Sequence, residues 1–141
     1  MAITLTDEAR RYISVVEEET DATVRDCVVD ESFERLLFVV KAGEMAQAIG
    51  PGGETVRELE ERLDREIKLV EDAATAEAFV ANALAPAAVY NVTISENDDT
   101  VAYAEVDQHD TGVAIGKDGK NIAAARTLAT RHFDVDDIEL T

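Results

Sequence analysis

Two short glycine-bracketed segments hold the residues of this chain that are best suited to chemistry. In each, an Ile-Gly pair is followed by two variable residues and a second glycine, after which an amphipathic segment begins. Gly116 follows Gly50 by 66 residues, and Gly119 follows Gly53 by the same 66. A constant offset of this kind indicates an internal duplication. The two segments are Ile49, Gly50, Pro51, Gly52 and Gly53, and Ile115, Gly116, Lys117, Asp118 and Gly119.

Paired glycines at this spacing predict a tight turn that can hold a phosphate group. Glycine adopts positive φ without steric cost and has no side chain, so another backbone can approach closely. Each turn is followed by a predicted helix, whose first N–H groups are unpaired and carry a partial positive charge. Taken singly, such a glycine is more often an ordinary helix C-cap. Two copies at the same spacing favour the phosphate-binding interpretation.

The elements around the two turns repeat in the order α-β-β-α-α-β. Apolar residues at helical spacing begin after Thr6 in the first half and after Thr75 in the second, and each threonine is a predicted N-cap. Short helices precede the turns and longer ones follow them, while apolar runs predict three strands in each half. The predicted strands cover residues 22–30, 35–41 and 67–72, then 90–95, 101–105 and 133–138. The expected domains are residues 1–73 and 74–141, with no flexible linker between them.

The composition is strongly acidic. The chain has 31 Asp and Glu against 13 Lys and Arg, a formal net charge of −18, and the acids are spread between apolar positions along the sequence. This pattern predicts a folded protein with a solvated acidic surface of the kind that halophiles use. The same charge argues against nucleic-acid binding in dilute salt. In about 1 M salt the Debye length falls to about 3 Å, so distant acids would scarcely repel RNA.

Several function classes lack the residues that they need. Cys27 is the single cysteine, which excludes a disulfide framework and a cysteine-based zinc site. No apolar run is long enough to span a membrane and no signal peptide is recognisable, so a cytoplasmic protein is expected. His109 and His132 have no obvious nucleophile or metal-ligand partner, and the glycines near Lys117 do not match a Walker phosphate-binding loop. We therefore expect no enzymatic activity, no metal and no cofactor.

The Ile-Gly-x-x-Gly segment within α-β-β-α-α-β resembles the KH domain in its type II order. Two adjacent units of this length are similar to the archaeal NusA-like transcription termination factors, and the resemblance covers nearly the whole chain. It implies an α+β fold of two tandem type II KH domains, each with a three-stranded mixed sheet packed on helices. It also implies binding of single-stranded RNA in transcription termination or antitermination, since KH modules clamp about four nucleotides. The resemblance also makes RNA polymerase or another transcription protein a candidate partner. Bacterial NusA has an added polymerase-binding domain and an S1 domain, so direct contact of this chain with the polymerase stays an open question.

The resemblance places RNA backbone at the two Gly-x-x-Gly turns, and local charge makes the second turn the stronger one. Lys117 and Lys120, half of the four lysines, flank that turn, and Arg126 lies further along the following helix. The first turn contains Pro51, which has no N–H, and the helix after it is rich in Glu. The first repeat is therefore expected to position the strand or to contribute mainly structure. The predicted RNA-binding residues are Ile49, Gly50, Pro51, Gly52, Gly53, Ile115, Gly116, Lys117, Asp118, Gly119, Lys120 and Arg126.

Three apolar or aromatic residues near the predicted interface are expected to lie in the core. Ile49 and Ile115 precede the turns and would either line the base groove or pack beneath it, with core packing the stronger expectation. Tyr103, in a predicted strand, could stack on a base, but again the core is the stronger expectation.

A protein-interaction module of the transcription or translation machinery is the alternative hypothesis. KH folds that have lost RNA binding can bind proteins, and the acidic face could meet a basic partner. A requirement for Lys117 and Gly119 in RNA binding would distinguish the two functions.

Overall fold

The computed structural model describes residues 3–141 and contains two compact units, one ending at Asp72 and the other beginning at Ala73. Each unit has the order α-β-β-α-α-β and one three-stranded sheet, which confirms the predicted α+β class with mixed sheets. The first unit consists of α1 (Asp7–Thr20), β1 (Val24–Asp30), β2 (Arg35–Val40), α2 (Met45–Ile49), α3 (Glu54–Leu63) and β3 (Glu66–Glu71). The second consists of α4 (Ala76–Ala83), β4 (Val89–Glu96), β5 (Thr100–Val106), α5 (Thr111–Ile115), α6 (Lys120–Phe133) and β6 (Asp137–Leu140).

The first helix of each unit begins at the threonine that the sequence predicts. The Ala9 N–H donates to Thr6 Oγ1 at 3.0 Å, and the Ala78 N–H donates to Thr75 Oγ1 at 3.2 Å. Each bond satisfies one of the backbone donors that a helix leaves unpaired at its start. The predicted N-caps are confirmed.

Both sheets place the second strand of their unit in the centre. β2 pairs antiparallel with β1 and parallel with β3, and β5 does the same with β4 and β6. Every residue of β2 has a relative exposure of 2 % or less, as the apolar run Leu36–Val40 predicts, and the buried set includes Arg35 at the start of the strand.

A hydrophobic core fills the space between each sheet and its helices. In the first unit Ile13 and Val16 of α1, Phe38 of β2 and Leu59 of α3 belong to one buried cluster. In the second unit Phe79 of α4 is fully buried. Its ring centroid lies 5.5 Å from that of His132 and 5.1 Å from that of Phe133, both on α6. These contacts hold the helix that follows each Gly-x-x-Gly turn, α3 in the first unit and α6 in the second.

The predicted closing strand of the second unit begins too early. Phe133 is the last residue of α6, not a strand residue, and Val135 is buried in the connecting turn before β6. Asp134 ends the helix in the left-handed conformation, with φ 55° and ψ 32°. In the sequence, the apolar residue at the helix end and the one in the turn continue into β6, so the three together have the pattern of a single longer strand.

Two tyrosines of the second sheet, Tyr90 and Tyr103, are exposed. Val89 pairs with Val106 and Asn91 with Glu105, so Tyr90 is the extra residue of a β-bulge and is 66 % exposed. Tyr103 is 37 % exposed, and the expectation that it packs in the core is wrong. Its neighbours along β5, Ala102 and Ala104, take the buried positions because successive side chains of a strand point to opposite faces.

In the described part of the chain, none of the helices has the length and apolar character needed to cross a membrane.

Candidate nucleic-acid interface

The two Gly-x-x-Gly loops have the same backbone shape. Gly50 has φ 79° and ψ 167°, and Gly116 has φ 79° and ψ 168°. Residues other than glycine essentially never adopt these angles. A Cβ on Gly50 would also lie 2.6 Å from Thr55 Cβ, and one on Gly116 would lie 2.8 Å from the Asn121 backbone nitrogen. The first glycine of each loop is therefore required both by its backbone angles and by the start of the next helix.

The last two positions of the loops agree just as closely. Gly52 and Asp118 share the left-handed conformation, with φ 61° and 56°. Gly53 and Gly119 do so as well, with φ 78° and 76°. A Cβ on Gly119 would meet no atom within 4 Å, so its surroundings are open. The loop shape is thus independent of whether the middle residues are Pro-Gly or Lys-Asp.

Each loop leads directly into a helix whose start carries no side-chain cap. Gly53 is the N-cap of α3 and Gly119 that of α6, and neither helix receives a side-chain hydrogen bond there. Helix starts favour anions because of their N–H groups and the helix dipole. Since no side-chain cap hydrogen bond is made at either start within residues 3–141, backbone N–H groups there can donate to a phosphate oxygen.

The structure brings together two of the three cations predicted for the second loop. Lys117 is exposed within the loop, and Lys120 is the first residue of α6. Arg126 lies six residues further along, about 9 Å by the helical rise. Its Nε donates to Asp137 Oδ1 at 2.8 Å and its Nη2 to the Ile138 carbonyl oxygen at 3.0 Å. The guanidinium group is therefore bound to β6 and not directed to the loop.

The isoleucines before the loops lie at the surface, so the core expectation for them is wrong. Ile49 is 36 % exposed and Ile115 is 40 % exposed, while the preceding alanines, Ala48 and Ala114, are fully buried. In these short helices the small residue faces the core and the next residue points away from it. Val113, also on α5, is 44 % exposed. The second loop therefore has two exposed aliphatic side chains on the helix that leads into it.

Two residues at the loops were missed in the sequence. Arg57 of α3 donates from Nη1 to the Gly52 carbonyl oxygen at 2.8 Å, which places a guanidinium on the first loop. Asn121 of α6 donates from Nδ2 to the carbonyl oxygens of Leu84 at 3.1 Å and Ala114 at 3.2 Å, which ties the second loop to α4. The sequence feature that could have identified Arg57 is a cation four residues after Gly53, the second glycine of the loop.

The shifted pKa values belong to groups outside the Gly-x-x-Gly loops. Burial, with a smaller contribution from Arg35, lowers the pKa of Lys68 from 10.5 to about 8. The Tyr90 hydroxyl donates to Asp107, which raises the pKa of the phenol and lowers that of the carboxyl group. Within residues 3–141 there is no group of three His, Cys, Asp or Glu side chains that could hold a metal ion.

Comparison with known proteins agrees with the duplicated architecture. Residues 8–74 match the KH domain family, and residues 76–141 match the family described as NusA-like second KH domain. The crystal structure of APE1850 superposes with a TM-score of 0.85 at 35 % identity, covering 97 % of this chain and 100 % of that one.

Two relatives from halophilic archaea cover the sequence almost completely. The "Probable transcription termination protein NusA" of Halobacterium salinarum is 64 % identical over 141 residues, 100 % of both chains. The protein of the same description from Halococcus morrhuae is 61 % identical over 140 residues, 99 % of both chains. The expectation of a halophilic archaeal relationship is confirmed. The chain belongs to the archaeal NusA family of tandem KH proteins.

Proposed function

We propose that this chain is a transcription termination factor that binds single-stranded RNA, with the RNA backbone held at the Gly116–Gly119 loop. The names of its relatives and the RNA-binding character of KH modules support the general role. One observation favours the second loop as the binding site. Lys117 is exposed in a glycine turn that leads directly into α6, and the start of α6 has no side-chain cap.

In this proposal the loop binds the RNA backbone and the helix before it contacts the bases. Phosphate oxygens accept hydrogen bonds from backbone N–H groups at the start of α6, where the helix dipole favours negative charge. Lys117 and Lys120 add positive charge on either side. Bases next to the held phosphates pack on Val113 and Ile115, the exposed aliphatic residues of α5. The absence of a side chain at Gly119 lets the RNA backbone approach closely.

The acidic surface sets the salt range in which binding occurs. In about 1 M salt the Debye length is about 3 Å, so only charges close to the phosphates act on RNA. The same screening reduces the gain from counterion release. Hydrogen bonds from the loop and packing in the groove must then supply most of the affinity, and we expect a weaker salt dependence than for a basic KH protein.

Fluorescence anisotropy with a labelled pool of single-stranded RNA tests the proposal in about 1 M KCl, where distant charges are screened. The proteins to compare are the wild type, Lys117→Asp and the control Arg10→Asp, which makes the same kind of charge reversal at an exposed position of α1. Lys117→Asp should weaken binding by about tenfold or more, because a carboxylate would then face the phosphate. Arg10→Asp should leave the affinity unchanged, and circular dichroism should show that both variants fold.

Two results would contradict the proposal. Equal affinity of the wild type and Lys117→Asp would remove the second loop from the interface. If the wild type bound no RNA at all, the protein-interaction hypothesis would gain, and co-purification with RNA polymerase would be the next measurement.

A further inference from the structure

We propose that Arg57 supplies the phosphate-contacting cation of the first Gly-x-x-Gly loop, so that both units of this chain hold RNA backbone. The inference rests on the RNA-binding function proposed above and adds a residue and a second contact point to it. It differs from the sequence-based expectation that the first repeat, with Pro51 and its acidic helix, contributes mainly structure.

The guanidinium group of Arg57 lies on the loop itself. Its Nη1 donates to the Gly52 carbonyl oxygen at 2.8 Å, and a Cβ on Gly53 would lie 3.1 Å from the same nitrogen. Arg57 is the fourth residue of α3, and helical side chains lean toward the helix N-terminus, which here is the loop. The geometry therefore directs this cation to the uncapped start of α3.

Most of the hydrogen-bonding capacity of Arg57 is unused. A guanidinium group has five N–H donors, and within residues 3–141 the bond to Gly52 is the one polar contact of this side chain. Acidic residues stand three and four positions away on the same helix, at Glu54, Glu60 and Glu61. Arg57 nevertheless pairs with none of them, whereas Arg62 on the same helix pairs with Glu19 of α1. Its other donors can therefore bind a phosphate oxygen without first breaking an ion pair.

The two repeats exchange the position of their cation. In the second unit the loop supplies Lys117, and the helix position equivalent to Arg57 is Ala123, 66 residues later. In the first unit the loop position equivalent to Lys117 is Pro51, and the helix supplies Arg57. Since the two loop backbones have the same shape, Arg57 gives the first turn a cation from the helix, whereas Lys117 gives the second turn a cation from the loop itself.

Arg57→Gln tests the proposal when its RNA affinity is measured as a function of salt. The matched control is Arg62→Gln, which removes the same charge from the same helix at an exposed ion pair that contributes little to stability. Anisotropy titrations with the labelled single-stranded RNA pool would cover about 0.5 to 2 M KCl, where charges beyond a few ångströms are screened. A third variant, Arg57→Lys, keeps the charge and loses the planar group.

A phosphate contact predicts a change in both affinity and slope. Arg57→Gln should weaken RNA binding by about tenfold or more, as expected for one lost charged hydrogen bond. The slope of log K against log [KCl] should move toward zero by about 0.7, the value for one phosphate contact on a single strand. Arg57→Lys should keep the wild-type slope, and Arg62→Gln should match the wild type in both quantities.

Each other result overturns the inference in a recognisable way. A loss of affinity with an unchanged slope would mean that Arg57 only holds the loop through Gly52. Equal behaviour of Arg57→Gln and Arg62→Gln, with Lys117→Asp still impaired, would reject Arg57 and leave the proposed function intact. A wild-type protein that binds no RNA would reject the proposed function as well.

Discussion

Gly116 packs against the start of α6 so closely that an added Cβ would lie 2.8 Å from the backbone nitrogen of Asn121. The nitrogen cannot move away easily, because the Asn121 side chain is hydrogen-bonded to the carbonyl oxygens of Leu84 and Ala114. The two hydrogen bonds of Asn121 join α4, α5 and α6 at the loop. The close approach to Asn121 makes Gly116, the first glycine of the turn, a structural requirement, while the second glycine, Gly119, faces open space.

Alanine substitutions should therefore rank the glycines of the second unit. Gly116→Ala should cost about 3 kcal/mol of unfolding free energy or more, from its disallowed backbone angles together with the clash. Gly119→Ala should cost about 1 kcal/mol, from its positive φ alone. Gly112→Ala, in α5 and with no atom near its added Cβ, should stabilise the protein by about 0.5 kcal/mol.

Urea unfolding followed by circular dichroism at constant salt measures this series. Equal losses for Gly116→Ala and Gly119→Ala would show that the contact with Asn121 is not limiting. A loss for Gly112→Ala would contradict the open surroundings found there.

Asp118 is expected to weaken the second loop as an RNA clamp. It has φ 56° where the first loop has Gly52, and it follows Lys117 directly in the sequence. Asp118→Gly should raise RNA affinity by about twofold to fivefold, because one negative charge is removed from the proposed phosphate site while the left-handed conformation is kept. Asp118→Ala removes the same charge but should be less stable than Asp118→Gly by about 1 kcal/mol, because alanine is strained at the positive φ of this position.

Anisotropy titration and urea unfolding of the two variants separate charge from conformation. If neither variant bound RNA more tightly, the carboxylate would not face the phosphate. If Asp118→Ala were as stable as Asp118→Gly, the left-handed backbone would carry no cost at this position.

Lys68 should make the stability of the protein rise with pH under alkaline conditions. Burial is the main cause that lowers its pKa to about 8, below the 10.5 of an unperturbed lysine. Between these values the unfolded chain binds more protons than the folded one, so the unfolding free energy increases with pH. Below about pH 8 the cost of the buried charge is fully present, and Lys68→Met should then be more stable than the wild type by about 2 kcal/mol.

Urea unfolding at several pH values checks this prediction. The advantage of Lys68→Met over the wild type should shrink as pH rises from about 8 toward about 10.5. Lys41→Met is the control, because the Lys41 side chain is 49 % exposed and its nearest carboxylate oxygen, on Glu44, is 3.9 Å away. A difference between Lys68→Met and the wild type that does not change with pH would contradict the lowered pKa.

The sequence by itself determined the duplication, the order of the elements and the two turns. These features depend on local properties: the φ angles that only glycine adopts, the threonine N-caps, and apolar spacing along a helix or strand. The glycines at 50 and 116 and the buried strand β2 could be predicted for this reason. The acidic composition, a property of the whole chain, pointed correctly to halophilic relatives.

Only the tertiary structure determined which individual side chains are buried and which atoms they contact. Ile49 and Tyr103 have apolar neighbours in sequence but lie exposed, because alanines take the buried positions next to them. Arg126 is close to the second loop in sequence and is bound to β6, whereas Arg57 belongs to an acidic helix and lies on the first loop. Periodicity gives the direction in which a side chain leaves the backbone. The atoms that it meets come from other elements, and long side chains such as arginine are placed by those atoms.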